Sequence, residues 1–207
     1  MNKKSICYGY IPSKLDGTER QAEFGDFKIP SSFTYQPLMP PVRDQGREAT
    51  CVCQTLTGML DVQRNSKTGV MKKCNDFSIS ELYNQRSNKP EEGMSIKEAL
   101  SILRHKGLNG EKIDNYAMCK SLAVAKQAIV ANGPIAIGMM VYDNGTDEYW
   151  LRTGRCMGGH CTMLVGFDKD NFIMRNSWGT SYGDKGYIKL PFSDFERYVI
   201  ECWTITL

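Results

Sequence analysis

The chain has 207 residues, of which 41% are hydrophobic and 24% charged, a composition typical of a globular protein with one buried core or two lobes around a cleft. Its 26 basic and 23 acidic side chains give a net charge of +3, and no segment combines Lys and Arg with aromatic residues, so we expect no nucleic-acid partner. No apolar run has the length of a membrane span or a signal peptide, so we expect no membrane association and a cytoplasmic location.

Eight cysteines are many for a cytoplasmic chain of this size. They are irregularly spaced and form no Cys-x-x-Cys pair, so the pattern is not that of a zinc ribbon or a disulfide framework. We expect mostly reduced, buried thiols, with one or two disulfides as the alternative if the chain is exported.

The N-terminal stretch, residues 8–35, is interrupted by Pro, Gly and charged residues and shows little periodicity. It predicts an extended lead-in in which residues 1–30 wrap across the body. The alternative is a short segment that covers the cleft and is removed on activation.

A proline-rich loop precedes the most distinctive helix. Residues 40–46 contain two prolines and a glycine, Thr50 offers a capping hydroxyl, and apolar residues then recur at helical spacing to about Asn65. Cys51 therefore lies in the first helical turn, where the helix dipole favours a thiolate. The position suits a nucleophile.

Three further helices follow. Ser78 and Ser95 each begin a Ser-x-x-Glu capping box, and Gly107 follows the second of these helices at a C-terminal cap position. The fourth helix is predicted over residues 122–131.

Strands dominate after Pro134, because short apolar runs now alternate with turn residues. They are predicted at residues 135–141, 160–167, 172–176, 186–190 and 203–207. A helical stretch (41–131) followed by a strand-rich stretch (132–207) predicts a single α+β domain with a cleft between two lobes.

A cysteine nucleophile needs a partner that can act as base and acid, usually histidine. His105 lies at a helix end among basic residues and is expected to be solvated, whereas His160 begins a predicted apolar strand. Asn176 closes the next strand of the hairpin, so its side-chain oxygen can orient the His160 ring, with Trp178 shielding that bond from water.

Three blocks then carry a family resemblance. The chain resembles papain-like cysteine peptidases in three blocks that have the residue types of that family and stand in the same order. These blocks are residues 41–46 followed by Cys51, residues 158–167 and residues 175–187. The resemblance implies a two-lobed papain-like fold with a helical N-terminal lobe and an antiparallel, barrel-like β lobe.

The resemblance also implies roles for four residues. Cys51 would attack the peptide carbonyl and form a thioester, His160 would transfer the proton, and Asn176 would orient His160. Gln45 would form an oxyanion hole together with the backbone N–H of Cys51.

For substrate binding, the resemblance implies Gly93 as a backbone partner of an extended substrate, and Met94, Gly138 and Cys161 as pocket residues. It implies peptide or protein substrates, no cofactor and no metal, a monomer, and inhibition by a protein inhibitor. A zinc site at Cys156, His160 and Cys161 is the disfavoured alternative, because no paired cysteines accompany it.

The chain also departs from the family. Residues 48–52 lack the usual second cysteine before the nucleophile and the aromatic residue after it. His160 follows Cys51 by only 109 residues, against roughly 130 to 150 in the family. The alternatives are therefore a peptide-binding module without turnover and an acyltransferase that uses the same triad.

Overall fold

The computed structural model describes residues 8–69 and 76–207, so Cys7 and Cys74 lie outside the described part. Helices in this part are α1 (Cys51–Thr68), α2 (Asp76–Tyr83), α3 (Ile96–His105), α4 (Leu122–Asn132) and α5 (Phe192–Tyr198), with a 3-10 turn at Gln36–Leu38. None of the described helices has the length and apolar character needed to cross a membrane.

Helix α1 is the helix that the sequence predicts after Thr50. It is buried along most of its length, as expected of a helix that packs on several sides, and it ends where Gly69 adopts a left-handed φ of 67°. The capping prediction at its start is wrong, since Thr50 makes no side-chain capping bond.

The two capping-box predictions have different outcomes. The Ser95 hydroxyl accepts the Glu98 N–H at 3.2 Å and caps α3, and Gly107 follows with φ 81°. Ser78 instead lies inside α2, fully buried, and its hydroxyl accepts a bond from Asn109 at 2.7 Å.

Seven strands of the described chain form one antiparallel sheet with the order β2-β7-β3-β4-β5-β6, and β1 pairs with β4. They are β1 (Phe33–Thr34), β2 (Asn115–Met118), β3 (Ile135–Asp143), β4 (Arg155–Phe167), β5 (Asn171–Arg175), β6 (Tyr187–Pro191) and β7 (Glu201–Thr206). The α+β fold class is therefore confirmed.

Strand β4 begins five residues earlier than predicted, so His160 lies within the strand rather than at its start. The sequence interpretation began the strand after Gly158 and Gly159. In the structure these glycines lie in the strand and allow close approach of the Tyr8 side chain and the Tyr10 backbone.

The buried apolar residues form two clusters. One is built around α1, α2 and α3 and includes the inner residues of β7. The other joins α4 and α5 to β3, β4 and β5. Cys51 belongs to the first cluster, and Trp178 to the second, so the candidate site lies where the two clusters meet.

Candidate active site

The loop before Cys51 is held by the segment that follows β5. The Arg175 guanidinium donates to the carbonyls of Pro40 and Pro41, both at 2.8 Å. The Gln45 N–H donates to the Ser177 carbonyl at 2.8 Å, and Gly179 donates to Arg43 at 3.0 Å. These bonds tie the helix start to the strand end that carries Asn176.

A buried ion pair fixes the same loop to α1. Arg43 contacts the Asp61 carboxylate at 2.8 Å, and Arg64 reaches its other oxygen at 2.7 Å. Asp61 is fully buried, so loss of Arg43 would leave a buried carboxylate with one partner fewer, a costly change. Arg43 therefore stabilises the loop through its bond to α1.

His160 and Asn176 are hydrogen-bonded through His160 Nε2 and Asn176 Oδ1 at 2.8 Å. The Ser177 backbone N–H also donates to that Asn176 atom, at 2.7 Å. A backbone N–H can only donate, so this atom must be the amide oxygen, and His160 Nε2 must carry the proton. In the neutral ring, Nδ1 is then the nitrogen with the free lone pair.

Within the described residues, Nδ1 of His160 has no hydrogen-bond partner. An imidazole with one nitrogen fixed by an amide and the other unoccupied is prepared to accept a proton. The geometry thus provides a base whose direction is set by Asn176.

Aromatic rings cover this pair. Trp178 stacks on the His160 ring with centroids 4.4 Å apart, Tyr149 meets the ring edge-on at 5.7 Å, and Tyr182 packs against Trp178 at 4.8 Å. The sequence interpretation named Trp178 as a shield. It missed Tyr149, whose only signal is an apolar Tyr-Trp pair inside a polar loop.

This enclosure sets the charge of His160. Burial lowers its pKa from 6.5 to about 4, although the bond to Asn176 acts in the opposite direction. The ring is therefore neutral at pH 7 in this conformation.

Cys51 lies close to the same group of residues. It is fully buried, and a charge on its thiol would raise the pKa values of Tyr149 and of Cys161. Tyr149 contacts the His160 ring and Cys161 is its chain neighbour, so Cys51 lies in the electrostatic surroundings of the base.

The Gln45 carboxamide is fixed at both ends. Its oxygen accepts the Ser177 hydroxyl at 2.6 Å, and its nitrogen donates to the Glu48 carbonyl at 2.8 Å. A primary amide has two N–H groups, so one donor direction is set by Glu48 and the orientation of the other follows from it.

The four predicted substrate residues meet around one occupant, Tyr10. Gly9 and Ile11 form hydrogen bonds with the Met94 backbone, at 2.8 and 3.1 Å, and the pairing is parallel. Gly93 lies against Gly9 and Ile11. The N-terminal segment therefore lies on the backbone that was predicted to receive substrate.

The Tyr10 side chain fills the predicted pocket. It is 3% exposed, and its ring lies so close to Gly138 that a side chain there would collide with it. Cys161 is paired with Gly138 in the sheet. The Tyr10 hydroxyl donates to Glu201 at 2.7 Å.

Glu201 is a functional candidate that the sequence interpretation missed. It is buried and also accepts the Trp203 indole N–H at 2.6 Å and the Ser13 N–H at 2.9 Å. A single acidic residue in a terminal strand gave no pattern from which this role could be predicted.

We call residues 8–13 the cleft segment. Its backbone makes one further bond to β4, since the Tyr10 N–H donates to the Gly159 carbonyl at 3.0 Å. Tyr8 lies against Gly158 and meets Trp178 edge-on at 6.2 Å. The cleft segment thus borders the two residues that precede His160 and the tryptophan that stacks on its ring.

Beyond the cleft segment the chain stays attached. Lys97 forms ion pairs with Glu19 at 2.7 Å and Asp16 at 3.4 Å, and Ala22 bonds to Met118 of β2 at 2.8 Å. Residues 14–18, which include Asp16, are exposed.

In the part of the chain that the structure describes, no three His, Cys, Asp or Glu side chains are grouped as a metal site. Of the three residues in the zinc alternative, Cys156 is exposed, whereas His160 and Cys161 are fully buried.

Comparison with known structures shows the fold. Xylellain, a cysteine protease from Xylella fastidiosa, superposes with a TM-score of 0.76 at 20% identity, covering 98% of this chain and 97% of that chain. A procathepsin B from Trypanosoma congolense gives a TM-score of 0.80 at 14% identity, covering 97% and 86%. The protein has a papain-like fold.

Sequence comparisons agree with this class. The family model described as "Papain family cysteine protease" matches residues 104–201. Cysteine proteinase 3 of Entamoeba histolytica is 29% identical over 78% of this chain and 62% of its own length. Cathepsin B of Dictyostelium discoideum is 38% identical over 33% of this chain and 24% of its own length.

The chain is thus similar in sequence to papain-family cysteine proteases over these stretches and shares the papain-like fold. It matches less than two thirds of the length of these two curated relatives.

Proposed function

We propose that the protein hydrolyses peptide bonds with Cys51 as nucleophile, His160 as base and acid, and Asn176 as the residue that orients His160. The observation that carries the proposal is the 2.8 Å bond from His160 Nε2 to Asn176, which leaves Nδ1 as the proton acceptor. The similarity to papain-family cysteine proteases supports it, and the proposed substrates are peptides or proteins.

In the proposed reaction, Nδ1 of His160 takes the thiol proton of Cys51 as sulfur attacks the substrate carbonyl carbon. The imidazolium then protonates the leaving amine, and a thioester joins the acyl group to Cys51. Water, deprotonated by the same nitrogen, hydrolyses the thioester and restores the thiol. The second amide N–H of Gln45 and the backbone N–H of Cys51 would stabilise the oxyanion.

We further propose that the cleft segment holds the enzyme inactive until it leaves. It pairs with Met94 and with Gly159, and Tyr10 fills the pocket between Gly138 and Glu201. A substrate that uses the same backbone and pocket must displace it, so activity requires cleavage or release of this segment.

The pocket also indicates a substrate class. It accepts a tyrosine whose hydroxyl donates to a buried carboxylate, Glu201. Once Tyr10 has left, Glu201 needs another donor, because a buried carboxylate without a partner is costly. We therefore propose selection of substrate side chains that carry a hydrogen-bond donor, such as tyrosine or a basic residue.

The test uses the full chain and a set of acyl-peptide substrates. The protein is incubated at high concentration while its N-terminal sequence, peptide hydrolysis and the mass of the Cys51 peptide are followed together. We expect hydrolysis to appear with loss of the N-terminus, and an acyl group to be found on Cys51. Cys51→Ala should abolish both, whereas Cys156→Ala, at an exposed thiol, should change neither.

The outcomes separate the two parts of the proposal. Hydrolysis at full rate with an intact, bound N-terminus would refute inhibition by the cleft segment but not catalysis. Peptide binding without any acylated Cys51, after the N-terminus has been lost, would refute catalysis and identify a binding module.

A further inference from the structure

Two buried cysteines outside the candidate active site lie opposite each other at the end of the β2–β7 ladder. The last pair of that ladder is Met118 with Trp203, and the next residues are Cys119 and Cys202. The Cys119 N–H donates to the Cys202 carbonyl at 2.9 Å, so the antiparallel register continues through this pair.

The register brings the two side chains together. Directly opposite residues of antiparallel strands project from the same face, and a hydrogen-bonded pair has Cα atoms about 5.5 Å apart. Disulfides span Cα distances of roughly 4.4 to 6.8 Å. Both side chains belong to the same apolar cluster, and the nearby Cys119 thiol contributes to the raised pKa of the Cys202 thiol.

We propose that Cys119 and Cys202 are a disulfide-forming pair that closes when the chain folds in oxidising surroundings. The structure shows the reduced form, in which both are free. The proposal is independent of the proposed catalytic function, since neither residue belongs to the triad, the oxyanion hole or the pocket.

The oxidant is a small disulfide of the glutathione type. One cysteine thiolate attacks it, forming a mixed disulfide and releasing one glutathione thiolate; the second cysteine thiolate attacks the protein sulfur and releases the other. Two protein thiols are oxidised to one disulfide, and two electrons reduce one oxidised glutathione to two thiols, which receive the two protons.

The surroundings favour closure during folding over switching in the folded protein. Burial raises the pKa of the Cys202 thiol well above its usual value, and the neighbouring Cys119 adds to this. A neutral thiol is a poor nucleophile. Exchange should therefore be slow once the strands have paired, which is the behaviour of a structural disulfide.

The crosslink would act on the strands that support the candidate site. It closes a loop that contains both His160 and Asn176. It also joins β7 to the end of β2. Glu201 of β7 binds the cleft segment, and Met118 of β2 binds residues 20–22, which follow the cleft segment in the chain.

The test is refolding of the reduced, unfolded full chain in a reduced and oxidised glutathione mixture, compared with refolding in excess reducing agent. We expect a peptide that links Cys119 to Cys202 in the first sample, two fewer titratable thiols, and a melting temperature higher by roughly 5 to 15 °C. The folded, reduced protein placed in the same mixture should form the link at least tenfold more slowly.

Cys119→Ala and Cys202→Ala should each remove the temperature difference between the two samples, and Cys156→Ala should keep it. Should a variant fail to fold, peptide mapping of the unsubstituted chain decides the question. Recovery of both thiols free after oxidative refolding, or links that join these cysteines to other partners, would overturn the proposal.

Discussion

Removal of the Tyr10 hydroxyl is the most direct test of how the cleft segment is held. Tyr10→Phe keeps the ring against Gly138 but removes one of three hydrogen bonds to Glu201, leaving those from Ser13 and Trp203. A hydrogen bond to a charged group contributes about 1.5 to 3 kcal/mol. Because the other two donors remain, we expect a loss of about 1 to 2 kcal/mol in segment binding.

That loss corresponds to a roughly 5- to 30-fold larger population with an open cleft, at about 1.4 kcal/mol per factor of ten. Tyr10→Ala also removes a ring that is 3% exposed. Truncation of a buried aromatic side chain costs about 3 to 5 kcal/mol, so its effect should exceed a factor of 100.

The assay is alkylation of Cys51 by iodoacetamide, followed by mass spectrometry of the peptide. If opening and closing are fast, the alkylation rate is proportional to the open population. Cys53 is an internal reference on the same helix, since it is fully buried and its thiol pKa is raised by that burial. Tyr35→Phe, a matched hydroxyl deletion outside the cleft segment, should react like the unsubstituted protein.

Equal Cys51 alkylation rates in the unsubstituted protein, Tyr10→Phe and Tyr10→Ala would refute the reasoning. Such a result would mean that the segment does not control access to the thiol, however closely it is packed. A faster reaction of Cys51 and Cys53 together would indicate general loosening of α1 instead.

Two further predictions concern His160 and Asn176. The pKa of His160 is about 4 in the folded state, against an ordinary value of 6.5. As the pH falls, the unfolded chain therefore takes up a proton before the folded chain does. We expect the contribution of His160 to the free energy of unfolding to be complete above pH 6.5 and to fall by about 3 kcal/mol as the pH falls to 4. Urea unfolding at a series of pH values should show this fall in the free energy of unfolding, and His160→Gln should remove most of it. An equal dependence on pH in both proteins would contradict the assigned effect of burial. Asn176→Ala should lower kcat of the activated enzyme by roughly 10- to 100-fold with little change in KM, since it removes only the orientation of His160. The control Asn171→Ala, at the other end of β5, should leave kcat unchanged. A change in KM alone for Asn176→Ala would contradict the assigned role.

The sequence predicts the residues that local patterns and spaced motifs define. Ser95 caps its helix as predicted, because the capping box and the apolar spacing agree. The hairpin interpretation placed Asn176 beside His160, and just beyond the last β4–β5 pair the Asn176 Oδ1 lies 2.8 Å from His160 Nε2. Such features depend on short segments or on one turn.

Contacts between distant segments could not be predicted in the same way. Tyr10 and Glu201 are 191 residues apart, and neither lies in a periodic pattern that indicates its partner. The early start of β4 was missed for a related reason. Gly158 and Gly159 look like a break until the cleft segment is known to pass against them, and then the lack of side chains has a steric cause.

Occupation of the cleft and the charge of the base are linked through the same contacts. Tyr8 and Tyr10 lie against Gly158 and Gly159, next to His160, whose pKa is low because the ring is buried. The segment contacts Gly158, Gly159 and Trp178, which adjoin the ring, so we expect its departure to admit water there, to reduce the desolvation of His160 and to raise its pKa. An imidazolium can then form beside Cys51 and stabilise its thiolate at the start of α1. The cleft segment would thus oppose catalysis twice, by filling the substrate site and by keeping the base neutral.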